Sequence, residues 1–247
     1  MAGKRLQMLA VGDIAYPSEA KDFFKATAPI LKAADLVIGQ LEVPYTTRHP
    51  QAAKLGRDPA ALEVLASSGF KVLTLAGNHI ADAGVEGIED TINGLKRYNL
   101  TPVGAGMNIR EARKGAILEC EGIRFGFLDY NCVGPKETWA TQNRPGCAFI
   151  GVHVEYETIF ASPGAVPIVK TWPEANSLQA MQEDIDMLRP QCDVLVVSFH
   201  KGVGHTPVVI ADYEYEICHA AIDAGADIIF SHHAHILKGI EVYKGKT

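Results

Sequence analysis

No stretch of five or more residues in this chain is dominated by lysine and arginine, and the net charge is −6. A nucleic-acid partner is therefore not expected, because neutralising phosphates needs a concentrated basic face. No segment approaches the roughly 20 consecutive apolar residues that a membrane span requires. The apolar run Leu6–Val11 is too short for a secretory core or a span, so neither an export signal nor a membrane anchor is expected. The five cysteines (Cys120, Cys132, Cys147, Cys192 and Cys218) are odd in number, scattered, and form no C-x-x-C pair. That excludes a disulfide framework and points to a reducing, cytoplasmic compartment. Internal repeats and low-complexity tracts are also missing. A small-molecule substrate is the expectation that survives these exclusions.

What is present is ample apolar material, 47% of 247 residues, enough for one large domain carrying an elaborate insertion. Short β-branched runs alternate with helical patterns. The predicted strands are Leu6–Val11, Leu36–Gly39, Lys71–Leu75, Gly115–Glu121, Ile123–Asp129, Asp193–Phe199 and Asp227–Phe230. The predicted helices are Ser18–Ala34, Pro59–Ser67, Val85–Tyr98, Ser177–Leu188 and Ala211–Ala224. Such alternation indicates an α/β protein with helices on the sheet faces.

The pattern breaks down over residues 131–176, which hold Trp139, Tyr156 and Trp172 with weak periodicity. A loop that long is either a surface excursion packed by its own aromatics or a substrate-covering lid. At the other end, Ile236–Tyr243 reads as a strand and Lys244-Gly245-Lys246 as a turn. Thr247 would then begin a partner strand, so the natural polypeptide is expected to continue.

The polar residues gather at the ends of predicted strands. Asp13 follows the first, Glu42 the second, and Asn78 and His79 the third; His200 ends a later strand, and His232, His233 and His235 end the last. If these strands run parallel, all emerge at one carboxyl edge, where open α/β sheets bind ligands. Each alone has a plain explanation, such as a helix cap, a turn asparagine or a structural histidine. Together they are hard to attribute to packing. His233 and His235, two apart in an extended segment, would point the same way, with His232 opposite and orienting a ligand through its ring. Carboxylate, carboxamide and imidazole donors suit Mn²⁺, Fe²⁺ or Zn²⁺, one or two ions per chain.

The motifs Gly12-Asp13, Leu41-Glu42, Gly77-Asn78-His79 through Asp82-Ala83-Gly84, Gly104-Ala105-Gly106-Met107-Asn108, His200-Lys201-Gly202 and His233-Ala234-His235 occur in that order. In this combination the chain resembles the calcineurin-like metallophosphoesterases, and more closely their CapA branch, named for poly-γ-glutamate capsule synthesis. The resemblance runs from Gly12 to Gly245. It implies a four-layer α/β/β/α sandwich with a dinuclear centre. Glu42 would bridge; Asp13 and His235 would bind one ion, and Asn78, His200 and His233 the other. His79 would serve as acid or transition-state stabiliser, oriented by Asp82. The chain departs from the pattern at Gln40, Ser231 and Ala234, and Ala15 stands where the wider superfamily has a second histidine. His205 replaces an acidic residue common in the branch and becomes a candidate catalytic or substrate-binding residue. Lys201 and Arg144 are candidates for an anionic substrate, with Arg48 and Arg57 the other loop arginines.

The leading expectation is a hydrolase acting on a phosphoester or an amide or γ-glutamyl-type bond of a small anionic or peptide-like substrate. Metal-assisted proton abstraction, as in an epimerase, and a non-catalytic role in capsule synthesis are the alternatives.

Overall fold

The computed structural model describes residues 5–54 and 56–247. In chain order the strands are β1 (Met8–Ile14), β2 (Leu36–Leu41), β3 (Val72–Thr74), β4 (Thr101–Val103), β5 (Ala105–Gly106), β6 (Ala116–Cys120), β7 (Ile123–Asn131), β8 (Gly146–Cys147), β9 (Val152–Glu157), β10 (Ile168–Pro173), β11 (Val194–Lys201) and β12 (Ile228–His233). The helices are α1 (Ala28–Ala33), α2 (Pro50–Lys54), α3 (Glu63–Ser68), α4 (Gly84–Arg97), α5 (Ile109–Ala112), α6 (Ala175–Leu188) and α7 (Asp212–Ala224).

Two four-stranded sheets carry the fold. One runs β1-β2-β3-β4, all parallel. The other runs β12-β11-β7-β6, with β6 alone antiparallel. The polar residues therefore emerge from two sheets and not from a single edge. Three apolar clusters separate four layers. Leu62, Leu65, Ile88 and Leu95 pack under the first sheet, and Met181, Ile185, Ile217 and Ala221 under the second. Leu36, Ile38, Val72, Phe125, Phe127 and Val196 fill the space between the sheets. This is the α/β/β/α sandwich.

Strand alternation explains how each face was chosen. On β11, Leu195, Val197 and Phe199 face α6 and α7, and Val196 faces the opposite sheet. Ser198 and His200 share the parity of Val196. On β7 the inward series is Phe125, Phe127 and Asp129; on β12 it is Ile228, Phe230 and His232. The inter-sheet layer thus changes from apolar to polar toward the carboxyl ends of the strands.

Several expectations need correcting. The helix predicted over Ser18–Ala34 is present only as α1; Tyr16, Phe23 and Phe24 stack on one another in the turns before it, and a proline opens its first turn. Residues 131–176 are not a structureless loop. Asn131, Ala148 and Gly104 are joined by backbone hydrogen bonds, and Cys147, Ala148 and Ile150 are fully buried. The β9–β10 hairpin docks on α7, where the Tyr213 N–H donates to Thr171 Oγ1. No strand forms over Ile236–Tyr243; a single bridge, Tyr243 with Lys246, closes a turn whose Lys244 and Gly245 both have positive φ. Among the described residues no helix is long and apolar enough to cross a membrane, and none of the five cysteines is in a disulfide.

Candidate metal centre

The carboxyl ends of β1, β2, β11 and β12 and the loop after β3 converge between the sheets. The first donor group contains Asp13, Glu42 and His235. His235 Nε2 lies 3.4 Å from Glu42 Oε1, and His235 Nδ1 lies 3.8 Å from Asp13 Oδ2. Asp13 is anchored by the backbone N–H of His233, which donates to Oδ2 at 2.7 Å. Its other oxygen, Oδ1, is buried with no hydrogen-bond partner. Burial pushes both carboxyl groups above their ordinary values, and the neighbouring Asp13 charge raises Glu42 further.

The second group contains Asn78, His200 and His233. His200 Nε2 lies 2.7 Å from Asn78 Oδ1 and 3.1 Å from His233 Nδ1. Burial depresses the basicity of both imidazoles, so they remain neutral. An amide oxygen and two imidazole nitrogens thus meet where a single shared proton could satisfy only part of their capacity. A divalent cation would satisfy all three, and the orphaned Asp13 oxygen beside them fits the same reading. Donor atoms of Asp13, His200 and His232 also approach one another within 4.8 Å. There, however, the two Nδ1 atoms of His200 and His232 are 2.7 Å apart, hydrogen-bonded to each other. His232 is therefore a support for His200 and not a free donor; burial holds it neutral, down to about 3.

The expectation that His233 and His235 share one face of an extended segment is corrected. Both have positive φ, 88° and 53°, and the chain bends between them. Their rings sit 6.2 Å apart and serve different donor groups. Left-handed backbone at non-glycine residues is costly and concentrates at functional sites. Gly77 is needed for a different reason: a Cβ there would lie 2.8 Å from the Gln40 amide and 3.5 Å from the His200 ring.

His79 stands at the open side, half-exposed, with Nδ1 2.8 Å from Asp82 Oδ2. That hydrogen bond raises its pKa above the ordinary histidine value. His205, also at positive φ, lays its ring on His235 at 5.0 Å and 9°.

Two candidates are not brought to the centre. Lys201 follows His200 and so faces the opposite side of β11, where its ammonium pairs with Glu214 of α7 at 2.8 Å. Arg144 donates to the backbone oxygens of Lys136 and Trp139 and closes that turn. Arg48 is held by Glu89 and Asp90. The cation that sequence reasoning underrated is Arg57. Its charge partly offsets the rise at Glu42, and it lines a cleft of about 480 Å³ with Ser18, Glu19, Thr46, Thr47 and Asp58, beyond the ends of β1 and β2.

Comparison with known proteins agrees with this architecture. The calcineurin-like phosphoesterase YfkN from Bacillus subtilis superposes over 98% of this chain and 75% of its own, with a TM-score of 0.51 at 13% identity. The fold is that of the calcineurin-like phosphoesterases. Within that class, the family described as bacterial capsule synthesis protein PGA_cap matches residues 2–247, and the chain belongs to it. The PGA biosynthesis protein CapA of Bacillus subtilis is 31% identical over 92% of this chain and 54% of its own length. The capsule biosynthesis protein CapA of Bacillus anthracis is 28% identical over 98% and 57%. The chain spans little more than half the length of these relatives.

Proposed function

We propose that this chain is a metal-dependent hydrolase of bacterial capsule metabolism, acting on a small anionic or peptide-like substrate at a phosphoester or an amide or γ-glutamyl-type bond. One observation carries the reading. Six donors from five separate segments meet in two adjacent groups, and a buried Asp13 oxygen with no hydrogen-bond partner lies between them, 3.6 Å from His200 Nδ1. Asp13, Glu42 and His235 would hold one ion, and Asn78, His200 and His233 a second, with Mn²⁺, Fe²⁺ or Zn²⁺ suited to these donors. Bound there, a divalent ion supplies Lewis acidity and makes water nucleophilic near neutral pH.

The remaining work falls to side chains. His79, its Nδ1 held by Asp82, presents Nε2 to the leaving group and can hand it a proton. Arg57 attracts the substrate's negative group toward the centre, and His205, stacked on His235, stands beside the first donor group. Cysteines that form no disulfide suit a reducing compartment, and we place the protein in the cytoplasm. The exposed, hydrogen-bonded His79–Asp82 pair favours catalysis over a purely structural part in capsule assembly, which needs no proton donor. The names of the relatives support the capsule assignment; the bond cleaved is set by the test. Metal content of the purified protein is measured first, then hydrolysis of phosphoester and acyl-amide panels. Bound transition metal with turnover on one panel is expected. Metal-free protein that neither takes up added Mn²⁺ or Zn²⁺ nor turns over either panel would refute the proposal.

A further inference from the structure

We propose that Asp129 and Ser198 are positioning residues that act through His232 to hold His200 in the tautomer whose Nε2 lone pair faces the metal. The inference rests on the metal-dependent reading above. Strand register creates the arrangement. Ser198 lies opposite Asp129 on β7, and His200 opposite His232 on β12, all on the inward face. His200 Nδ1 meets His232 Nδ1 at 2.7 Å, and His232 Nε2 meets Ser198 Oγ at 2.9 Å. Ser198 stands beside Asp129 in register across the strand pair, next to a carboxylate oxygen, Oδ1, that is buried without a hydrogen-bond partner. Every member is buried. A chain of single hydrogen bonds has one polarity at a time. For His200 Nε2 to ligate an ion, its proton must sit on Nδ1 and be donated to His232 Nδ1. His232 must then donate from Nε2 to Ser198, and Ser198 to the Asp129 carboxylate. The acceptor at the far end fixes the direction of every bond before it.

Asp129 is built for that end. Its Oδ2 accepts the N–H groups of Leu75 and Ala76 at 3.0 and 2.6 Å. Its Oδ1 is buried with no hydrogen-bond partner, 3.9 Å from His232 Nε2, and is the open acceptor toward which the Ser198 hydroxyl can turn. Gly104 leaves room for it: at φ +92°, a Cβ there would meet Asp129 Oδ2 at 2.3 Å.

The same geometry supplies a discriminating variant. In Asp129→Asn the two backbone N–H groups require the amide oxygen at the Oδ2 position. The NH₂ then falls toward Ser198 and His232 as a donor and reverses the chain, placing a proton on His200 Nε2. The contacts that a merely structural Asp129 would make to Leu75 and Ala76 are kept. Ser198→Ala breaks the chain without reversing it.

The test uses the full chain labelled with ¹⁵N-histidine. Long-range ¹H–¹⁵N spectra of metal-free protein at pH 9 read the tautomers, pH 9 lying above the about 8 to which burial pushes Asp129. Chelator competition at the same pH reads Zn²⁺ affinity. Wild type is expected to show His200 protonated on Nδ1 and His232 on Nε2. Asp129→Asn should reverse both and bind Zn²⁺ about 10- to 100-fold more weakly, with Ser198→Ala between. If either folded variant keeps wild-type tautomers and wild-type affinity, the inference is overturned; should Asp129→Asn fail to fold, Ser198→Ala decides. Wild type failing to bind zinc would overturn the hydrolase reading and this inference together, whereas equal binding by the variants overturns this inference alone.

Discussion

Replacing Glu42 by Gln should have opposite effects on stability with and without metal. Glu42 is buried beside Asp13, and both carboxyl groups sit above their ordinary pKa values because burial disfavours their charge. A carboxyl whose folded pKa is raised adds stability below its unfolded pKa, and that stability is lost as pH rises through the folded value. At pH 8 with chelator, Gln therefore removes an unfavourable charge at constant volume, and the variant should melt at or above wild type. With metal at 100-fold excess over its Kd, wild type gains about 2.7 kcal/mol. A variant binding about 100-fold more weakly gains only about 0.4 kcal/mol at the same concentration. For a chain of this size each kcal/mol moves Tm by roughly 2–4 °C. Wild type should thus rise by about 5–11 °C and Glu42→Gln by about 1–2 °C. Scanning calorimetry with chelator and with Mn²⁺ or Zn²⁺ reads both arms. A variant destabilised equally in both would show that Glu42 is a scaffold residue and refute the reasoning.

Other substitutions separate the roles. His79→Ala should lower kcat by about 10²- to 10⁴-fold with metal affinity unchanged. Because Asp82 raises the His79 pKa, the proton-donating form is lost only as pH climbs past that raised value; Asp82→Asn should move the alkaline limb of kcat to lower pH, and an unmoved limb would exclude His79 as the acid. Arg57→Ala should raise KM for anionic substrates by about tenfold, the worth of one charge-assisted hydrogen bond, while equal KM values would place the anion elsewhere. Lys201→Ala should leave Zn²⁺ affinity intact and destabilise the fold by about 3–5 kcal/mol, because it strands buried Glu214; urea denaturation measures this, and weakened metal binding would contradict the orientation assigned to Lys201.

The layers and the convergence of these six side chains were legible because strand ends impose position: a residue at the carboxyl end of a parallel strand has one rim to occupy. Asp13, Glu42 and His200 follow from that rule alone. Side-chain direction was legible only where the backbone stayed extended. Lys201 could have been assigned by counting parity from Val196, whereas His233 and His235 depart from alternation through positive φ that no residue type announced. The support from Asp129 and Ser198 was hidden because it depends on register between β7, β11 and β12, strands distant in sequence. Residues 131–176 looked structureless because β8 is two residues long and its partner β5 lies 40 positions earlier. Pairing of that kind leaves no local periodicity to read.

The most direct trial of the central claim is anomalous diffraction from crystals grown with Mn²⁺ or Zn²⁺. The account requires an anomalous peak ringed by Asn78 Oδ1, His200 Nε2 and His233 Nδ1, or by Asp13, Glu42 and His235, and it allows both. Ions bound only elsewhere on the molecule, or none in either ring at saturating metal, would contradict it.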